Sequence, residues 1–230
     1  MTELINQYFC PVCENGIESF LPFGINPRPN AQCPLCKSLE RHRLIWLYFK
    51  NKTNLFKDNL KILHIAPEHL ISNKLNEMSN LDYISADLLS PSAMIQMDIT
   101  AIQFIDNSFD VIYANHVLEH IPDDLKAMCE LRRILKPTGW AILQVPIWGD
   151  KTLEDANIST SEEREKLFGQ KDHVRRYGLD GIYKKRLEIA GFEVFVDSYV
   201  RSLGSDVIKK YGLMPDEDIY FCRKSSSYIK

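Results

Sequence analysis

From residue 60 onward the apolar positions fall into short runs separated by longer amphipathic stretches, a rhythm of strand and helix. KILHIA reads as a buried strand, and PEHLISNKLNEM as a helix with proline in its first turn, where the missing N–H has no intrahelical partner to lose. LDYISADL and the short AMIQMDI read as strands two and three. SFDVIYAN is strand four, entered through the turn Asp106-Asn107-Ser108. The clearest helical pattern runs from Pro122 to Lys136, with Leu125, Met128, Leu131 and Leu135 on one stripe. Asp123 and Asp124 lie in its first turn and Arg132, Arg133 and Lys136 in its last, each matching the helix dipole, and Pro137 with Gly139 stops it. WAILQVPI is apolar throughout, as a strand buried on both faces must be. A polar, irregular segment (150–178) then leads to a helix over LDGIYKKRLEIA and two closing strands, FEVFVDSY and DIYFCRK. This alternation predicts an α/β fold, a mostly parallel sheet covered by helices on both faces.

In such sheets ligands bind beyond the carboxyl ends of the strands, where strand order reverses. Strand one ends at His64-Ile65-Ala66-Pro67-Glu68, a place where a nucleotide site is normally opened by glycines, and none is present. Strand two ends with Asp87, an acid suited to accept both hydroxyls of a ribose. Strand three ends with Asp98 and Ile99, an acid and an apolar neighbour fit for an adenine edge. Strand four ends with Asn115-His116, and strand five with Gln144-Val145-Pro146.

Cysteine usage adds a second module. Cys10-Pro-Val-Cys13 and Cys33-Pro-Leu-Cys36 are two Cys-x-x-Cys turns in the first 36 residues, whereas Cys129 and Cys222 stand apart. Each turn presents two thiolates to one ion, so the four predict a structural zinc ribbon; with all four positions filled by sulfur, no site is open for water. SLERHRLIWLYFK follows as a helix capped by Ser38, with an apolar face of Leu44, Ile45, Leu47 and Tyr48, and with Arg41, His42 and Arg43 either on a solvated face, the favoured reading, or pointing into a cleft. The expected division is residues 1–50 for ribbon and connecting helix, and 51–230 for the α/β domain. Net charge is -3, and segment 1–50 is nearly balanced in charge, which argues against a nucleic-acid partner. The start MTELINQYFC has no leader-like apolar core, and no apolar run approaches a membrane span, so the expectation is a cytoplasmic protein without a membrane partner.

The run of about fifty residues from Met97 to Ile147 resembles the central segment of the class I S-adenosylmethionine-dependent methyltransferases, in their commonest small-molecule branch. It carries the Asp-x-x-Phe-Asp turn into strand four (Asp106 to Asp110), Val117-Leu118-Glu119-His120 after it, and Leu135-Lys136-Pro137-Thr138-Gly139 before strand five. The resemblance implies a Rossmann-like seven-stranded sheet in the order 3-2-1-4-5-7-6 and S-adenosylmethionine as cofactor. It implies Asp87 on the ribose hydroxyls, Asp98 beside the adenine amino group with the Ile99 N–H on the ring, and Asn115 and His116 under the methionine portion. The departure is strand one: His64 stands at the family's acid position, Ala66 at its first glycine and Glu68 at its second. Glu68 is then the carboxylate expected to meet the methionine ammonium.

For the methyl acceptor, the loop from Phe168 to Gly178 is dense in polar and aromatic groups. His173 is expected as base or substrate hydrogen-bonder and Arg175 as the partner of an anionic substrate group, with His120 a helix-start residue. The leading reading is methyl transfer to a small polar acceptor such as a sugar hydroxyl. The alternatives are an RNA methyltransferase that uses the ribbon for binding, and a non-catalytic binding protein, favoured by the missing glycines.

Overall fold

The computed structural model describes residues 7–24 and 27–225; the first six residues, part of the stretch read for a leader, lie outside them. In chain order the strands and helices begin with β1 (Tyr8–Cys10), β2 (Asn15–Ile17), β3 (Leu21–Phe23), β4 (Arg28–Gln32) and α1 (Glu40–Lys52). Then come β5 (Leu60–Ile65), α2 (His69–Asn76), β6 (Leu81–Asp87), β7 (Ile95–Gln96), β8 (Phe109–Asn115), α3 (Asp124–Ile134) and β9 (Leu135–Gln144). The chain closes with β10 (Leu153–Glu154), α4 (Ser161–Phe168), β11 (Arg175–Arg176), α5 (Ile182–Ile189), β12 (Phe192–Asp197), α6 (Tyr199–Ser202), α7 (Ser205–Tyr211) and β13 (Ile219–Lys224). No described helix is long and apolar enough to cross a membrane.

The expected boundary at residue 50 gives way to an interleaved division. One unit combines the chain up to Asn59 with Glu68–Asn80 and Val196–Ile219; the other combines Leu60–Pro67, Leu81–Phe195 and the chain from Tyr220 onward.

In the first unit, β1–β2 and β3–β4 are antiparallel hairpins. Helix α1 has no broad polar face, because its residues from His42 to Phe49 are all buried. Arg43, expected on a solvated face, is fully buried. Its guanidinium donates to the carbonyls of Asn30, Ala31, Ser38, Tyr211 and Gly212 at 2.6–3.3 Å and lies 3.9 Å from the Phe20 ring centre. A planar group with five N–H donors is the side chain able to satisfy so many carbonyls away from water. Ser38 is not the cap either: Leu39 is the N-cap, and the Leu39 N–H donates to His42 Nδ1 at 3.1 Å.

The second unit is built on a seven-stranded sheet with neighbours in the order β7-β6-β5-β8-β9-β13-β12. Numbered by chain position within the sheet, that is 3-2-1-4-5-7-6. The β7/β6, β6/β5, β5/β8 and β8/β9 pairs are parallel, and β13 runs antiparallel to β9. Leu63, Ile65, Ile112, Ala114 and Leu143 of the sheet share one core with Met128 and Leu131 of α3 and Leu187 of α5. Helix α3 ends at Ile134, not Lys136, because the residues before Pro137 are pushed to extended backbone, and β9 starts at Leu135 at once. Gly139 lets β9 pass β8: a Cβ there would stand 2.6 Å from the Asp110 carbonyl oxygen. Helix α4 lies inside the segment expected to be irregular, and its capping box, Thr160 with Glu163, was written in the sequence.

Candidate active site and four-cysteine cluster

Strand register brings the expected cofactor residues side by side. Ile65 pairs with Ala86 on one side and with Ala114 on the other, so Ala66 stands between Asp87 and Asn115 on adjacent strands. Strand order reverses between β5 and β8, so this is the switch point where ligands enter such sheets. Asp87 Oδ1 accepts the N–H groups of Leu89 and Ser90 at 2.7 and 2.6 Å, leaving Oδ2 without a hydrogen bond among the described residues. Asp98 is exposed, and the Thr100 N–H and hydroxyl on its Oδ1 hold its carboxyl below the usual range. Ile99 points its side chain into the core, so only its backbone is left for a ring edge.

Ala66 adopts φ +48, the left-handed region in which glycine is ordinarily found, and its N–H donates to the Ala86 carbonyl at 2.8 Å. The glycine-type turn is therefore kept by a residue with one methyl, at a cost of about 1 kcal/mol. Ala66→Gly should leave the urea midpoint unchanged or raise it slightly, the roughly 1 kcal/mol of relieved strain being offset by about 0.4–1 kcal/mol of glycine's extra chain entropy. A loss of stability would show that the methyl itself is needed. His116 shares this conformation at φ +57.

His64 departs from expectation. It is fully buried, with Nδ1 2.9 Å from the Tyr83 hydroxyl and its ring 4.7 Å from Tyr113. The penultimate residue of β5 sits within the sheet, and its imidazole shares that space with two tyrosines. Glu68 belongs to the other unit, where it is the N-cap residue of α2 and stands 3.3 Å from His42 Nε2.

Just past the end of β8 four titratable side chains converge. Glu119 Oε1 lies 3.6 Å from His116 Nδ1, 3.9 Å from His120 Nε2 and 4.0 Å from His173 Nε2. The chain crosses back here, with the Val174 N–H donating to the Glu119 carbonyl at 3.0 Å. His173 is 3 % exposed, and burial first, then the neighbouring His120, lowers its pKa. The expected base is thus held among these groups, not in solvent. Glu119 was not singled out from the sequence, yet His116, Glu119 and His120 sit at i, i+3 and i+4, the spacing that puts side chains on one face of a helical turn.

Arg175, expected to face an anionic substrate group, is turned into the protein interior. It is buried, and its guanidinium donates to the carbonyls of Leu118 (3.0 Å), Ile121 and Pro122 (2.7 Å) and to Glu154 (3.1 Å). Asp124, which accepts from Tyr177 (2.5 Å) and Arg186 (2.7 Å), lies 3.8 Å from its Nε. Arginine in a loop reads as an anion binder, but here both terminal nitrogens of the guanidinium are taken up by the protein's own carbonyls and Glu154.

In the other unit the four expected cysteine sulfurs lie within 4.8 Å of one another. Cys10 and Cys36 are 3.6 Å apart and Cys13 and Cys33 3.9 Å. Tetrahedral bonds of 2.3 Å set sulfurs about 3.8 Å apart, so the cluster has the dimensions of a zinc tetrahedron. All four are free thiols. Glu14 and Lys37, the residues after each pair, both take left-handed backbone (φ 56 and 65), so the two turns are alike. The Cys10 thiol beside Cys36 lowers the Cys36 pKa to about 4 and has its own raised, and the Ser38 hydroxyl stands 3.2 and 3.3 Å from the two sulfurs.

This sheet and its switch point are those of the class I methyltransferase fold. Residues 66–143, about a third of the chain, match the family described as "Methyltransferase domain". Among curated proteins, an uncharacterized 37.1 kDa protein in transposon TN4556 of Streptomyces fradiae is 31% identical over 106 residues, 45% of this chain and 30% of that protein. An uncharacterized methyltransferase of Mycobacterium sp. (strain KMS) is 37% identical over 49 residues, 21% of this chain and 19% of that protein. The matched stretches thus span under a third of these relatives. Among solved structures, an S-adenosylmethionine-dependent methyltransferase from Mesorhizobium loti aligns with TM-score 0.53 at 13% identity, covering 78% of this chain and 97% of that one. The cyclase SpnF aligns with TM-score 0.54 at 14% identity, covering 80% and 81%. At such identities the likeness is one of fold.

Proposed function

We propose that this protein is an S-adenosylmethionine-dependent methyltransferase acting on a hydroxyl of a small polar acceptor, with the four cysteines holding a structural zinc. The observation that carries the reading is the register at the switch point: Ala66 in a glycine conformation, flanked by Asp87 and Asn115, within the segment that matches the methyltransferase family. When bound, the cofactor supplies an electrophilic methyl group. In this reading Asp87 Oδ2 takes the ribose hydroxyls, Asp98 and the Ile99 N–H flank the adenine, and Asn115 and His116 line the methionine portion. The residues around Glu119 then face the acceptor, and the net charge of -3 favours a small molecule over RNA.

A second reading, a methyltransferase fold put to another use, draws on the glycine-free turn and on the cyclase that shares the fold. Calorimetry with S-adenosylmethionine and S-adenosylhomocysteine decides between them. Binding is expected for both, and Asp87→Asn should weaken it about tenfold or more, since hydrogen bonds to a charged group are worth roughly 1.5–3 kcal/mol. If the protein binds neither compound, the methyltransferase reading falls.

A further inference from the structure

We propose that Glu119, His120 and His173, with the His116 imidazole beside them, bind a divalent first-row transition-metal ion. Their donor atoms lie within 4.8 Å of one another, with Glu119 Oε1 3.9 Å from His120 Nε2 and 4.0 Å from His173 Nε2. Bonds of 2.0–2.2 Å set tetrahedral donors roughly 3.4 Å apart, so the two carboxylate–imidazole distances need to close by about half an ångström and no pair by more than about 1.4 Å.

The outer nitrogens are engaged as ligand imidazoles require. His173 Nδ1 is 3.0 Å from the Phe168 carbonyl oxygen, which can only accept, so Nδ1 carries the proton and Nε2 presents its lone pair inward. That Nε2 is buried and makes no hydrogen bond. His120 Nδ1 lies 3.3 Å from the Asp172 carboxylate, the carboxylate–histidine pairing seen behind metal ligands. Both rings thereby direct Nε2 toward the same carboxylate oxygen.

Glu119 is 1 % exposed, and a desolvated carboxylate requires compensating charge close by. The site is reachable, since the His116 and His120 side chains are 26% and 29% exposed. Two imidazoles and one carboxylate suit zinc, iron(II), cobalt, nickel or manganese better than calcium or magnesium, and three protein ligands leave positions open. This site therefore differs in kind from the closed four-thiolate cluster. Glu119 follows β8 by four residues, so an ion there stands beside the strand ends. A role for it in orienting an acceptor oxygen rests on the methyltransferase reading; the binding of metal does not.

Cobalt(II) titration of the reduced, metal-free full-length protein separates the two sites, because thiolate ligation gives an intense near-ultraviolet charge-transfer band that nitrogen–oxygen ligation lacks. Two equivalents are expected, the second adding only weak visible bands. Glu119→Gln and His120→Ala should keep the thiolate band and lose at least about tenfold in affinity for the second equivalent. Circular dichroism melting establishes that each variant is folded. The proposal is overturned if the wild type takes up only the thiolate-bound equivalent, or if the folded variants bind the second with unchanged affinity. Uptake of both equivalents by a protein that binds no S-adenosylhomocysteine would remove the methyltransferase reading and leave this site standing.

Discussion

On the zinc assignment proposed above, replacing Cys33 by serine is expected to cost the protein one equivalent of metal and the stability of the hairpins around the cluster. Cys10, Val12 and Cys33 are fully buried, and the β1–β2 and β3–β4 hairpins beside them have strands of only three to five residues. Short two-stranded ribbons do not hold themselves together in water. Structural zinc sites contribute roughly 10–16 kcal/mol to the folding of small zinc-binding peptides, comparable with the whole stability of a typical domain. Three thiolates and a hydroxyl hold the ion far less tightly, so the expected result is loss of a cooperative melting step along with the metal. Metal analysis and thermal denaturation, with wild type and variant side by side, read both effects. A Cys33→Ser protein that keeps the full metal content and melts like wild type would remove zinc from the account of this cluster.

Arg175→Ala is expected to destabilise the protein by about 3–5 kcal/mol, the range for removing one partner from a buried charged network. The carbonyls of Leu118, Ile121 and Pro122 each lose a donor, and Asp124 and Glu154 are left with Arg186 alone among the described arginines. Arg175→Lys should recover only a minor part, since an ammonium lacks the planar fork that reaches three carbonyls and a carboxylate together. Urea denaturation checks this, with unchanged slopes meaning that the midpoint shift is stability. The consequence extends to the site: the same loop carries His173, and its return path is fixed by Val174 on Glu119 as well as by Arg175. A cost below about 1 kcal/mol would show that the guanidinium is replaceable there and that His173 is positioned by other contacts.

Much of the sheet was legible because its strands are buried on two faces and its helices on one. KILHIA, SFDVIYAN and WAILQVPI can hardly be anything but interior strands, and Asp123 to Leu131 carries both a cap and a stripe. Errors lay where a polar residue performs an interior task. Arg43 and Arg175 look like surface or substrate residues, and nothing local in the chain records the five carbonyls around one or the three around the other. His64 stands at the position of an acid in the family it resembles, whereas the space beside it is set by Tyr83 and Tyr113 from two other strands. Helix α4 is announced only by its Thr160–Glu163 capping box, since the segment around it is polar throughout and shows no apolar stripe.

The sequence by itself determined the parallel α/β architecture, the paired Cys-x-x-Cys turns and the run of acids at successive strand ends, since periodicity and spacing are local properties of the chain. It also held His116, Glu119 and His120 at the spacing of one helical turn. Only the tertiary structure decided that His173, which lies beyond β9 and α4, returns to the same carboxylate. It also decided that Ala66 stands between Asp87 and Asn115, through the register of three strands. Both follow from pairings between distant segments, which the packing of the core selects and no local pattern encodes.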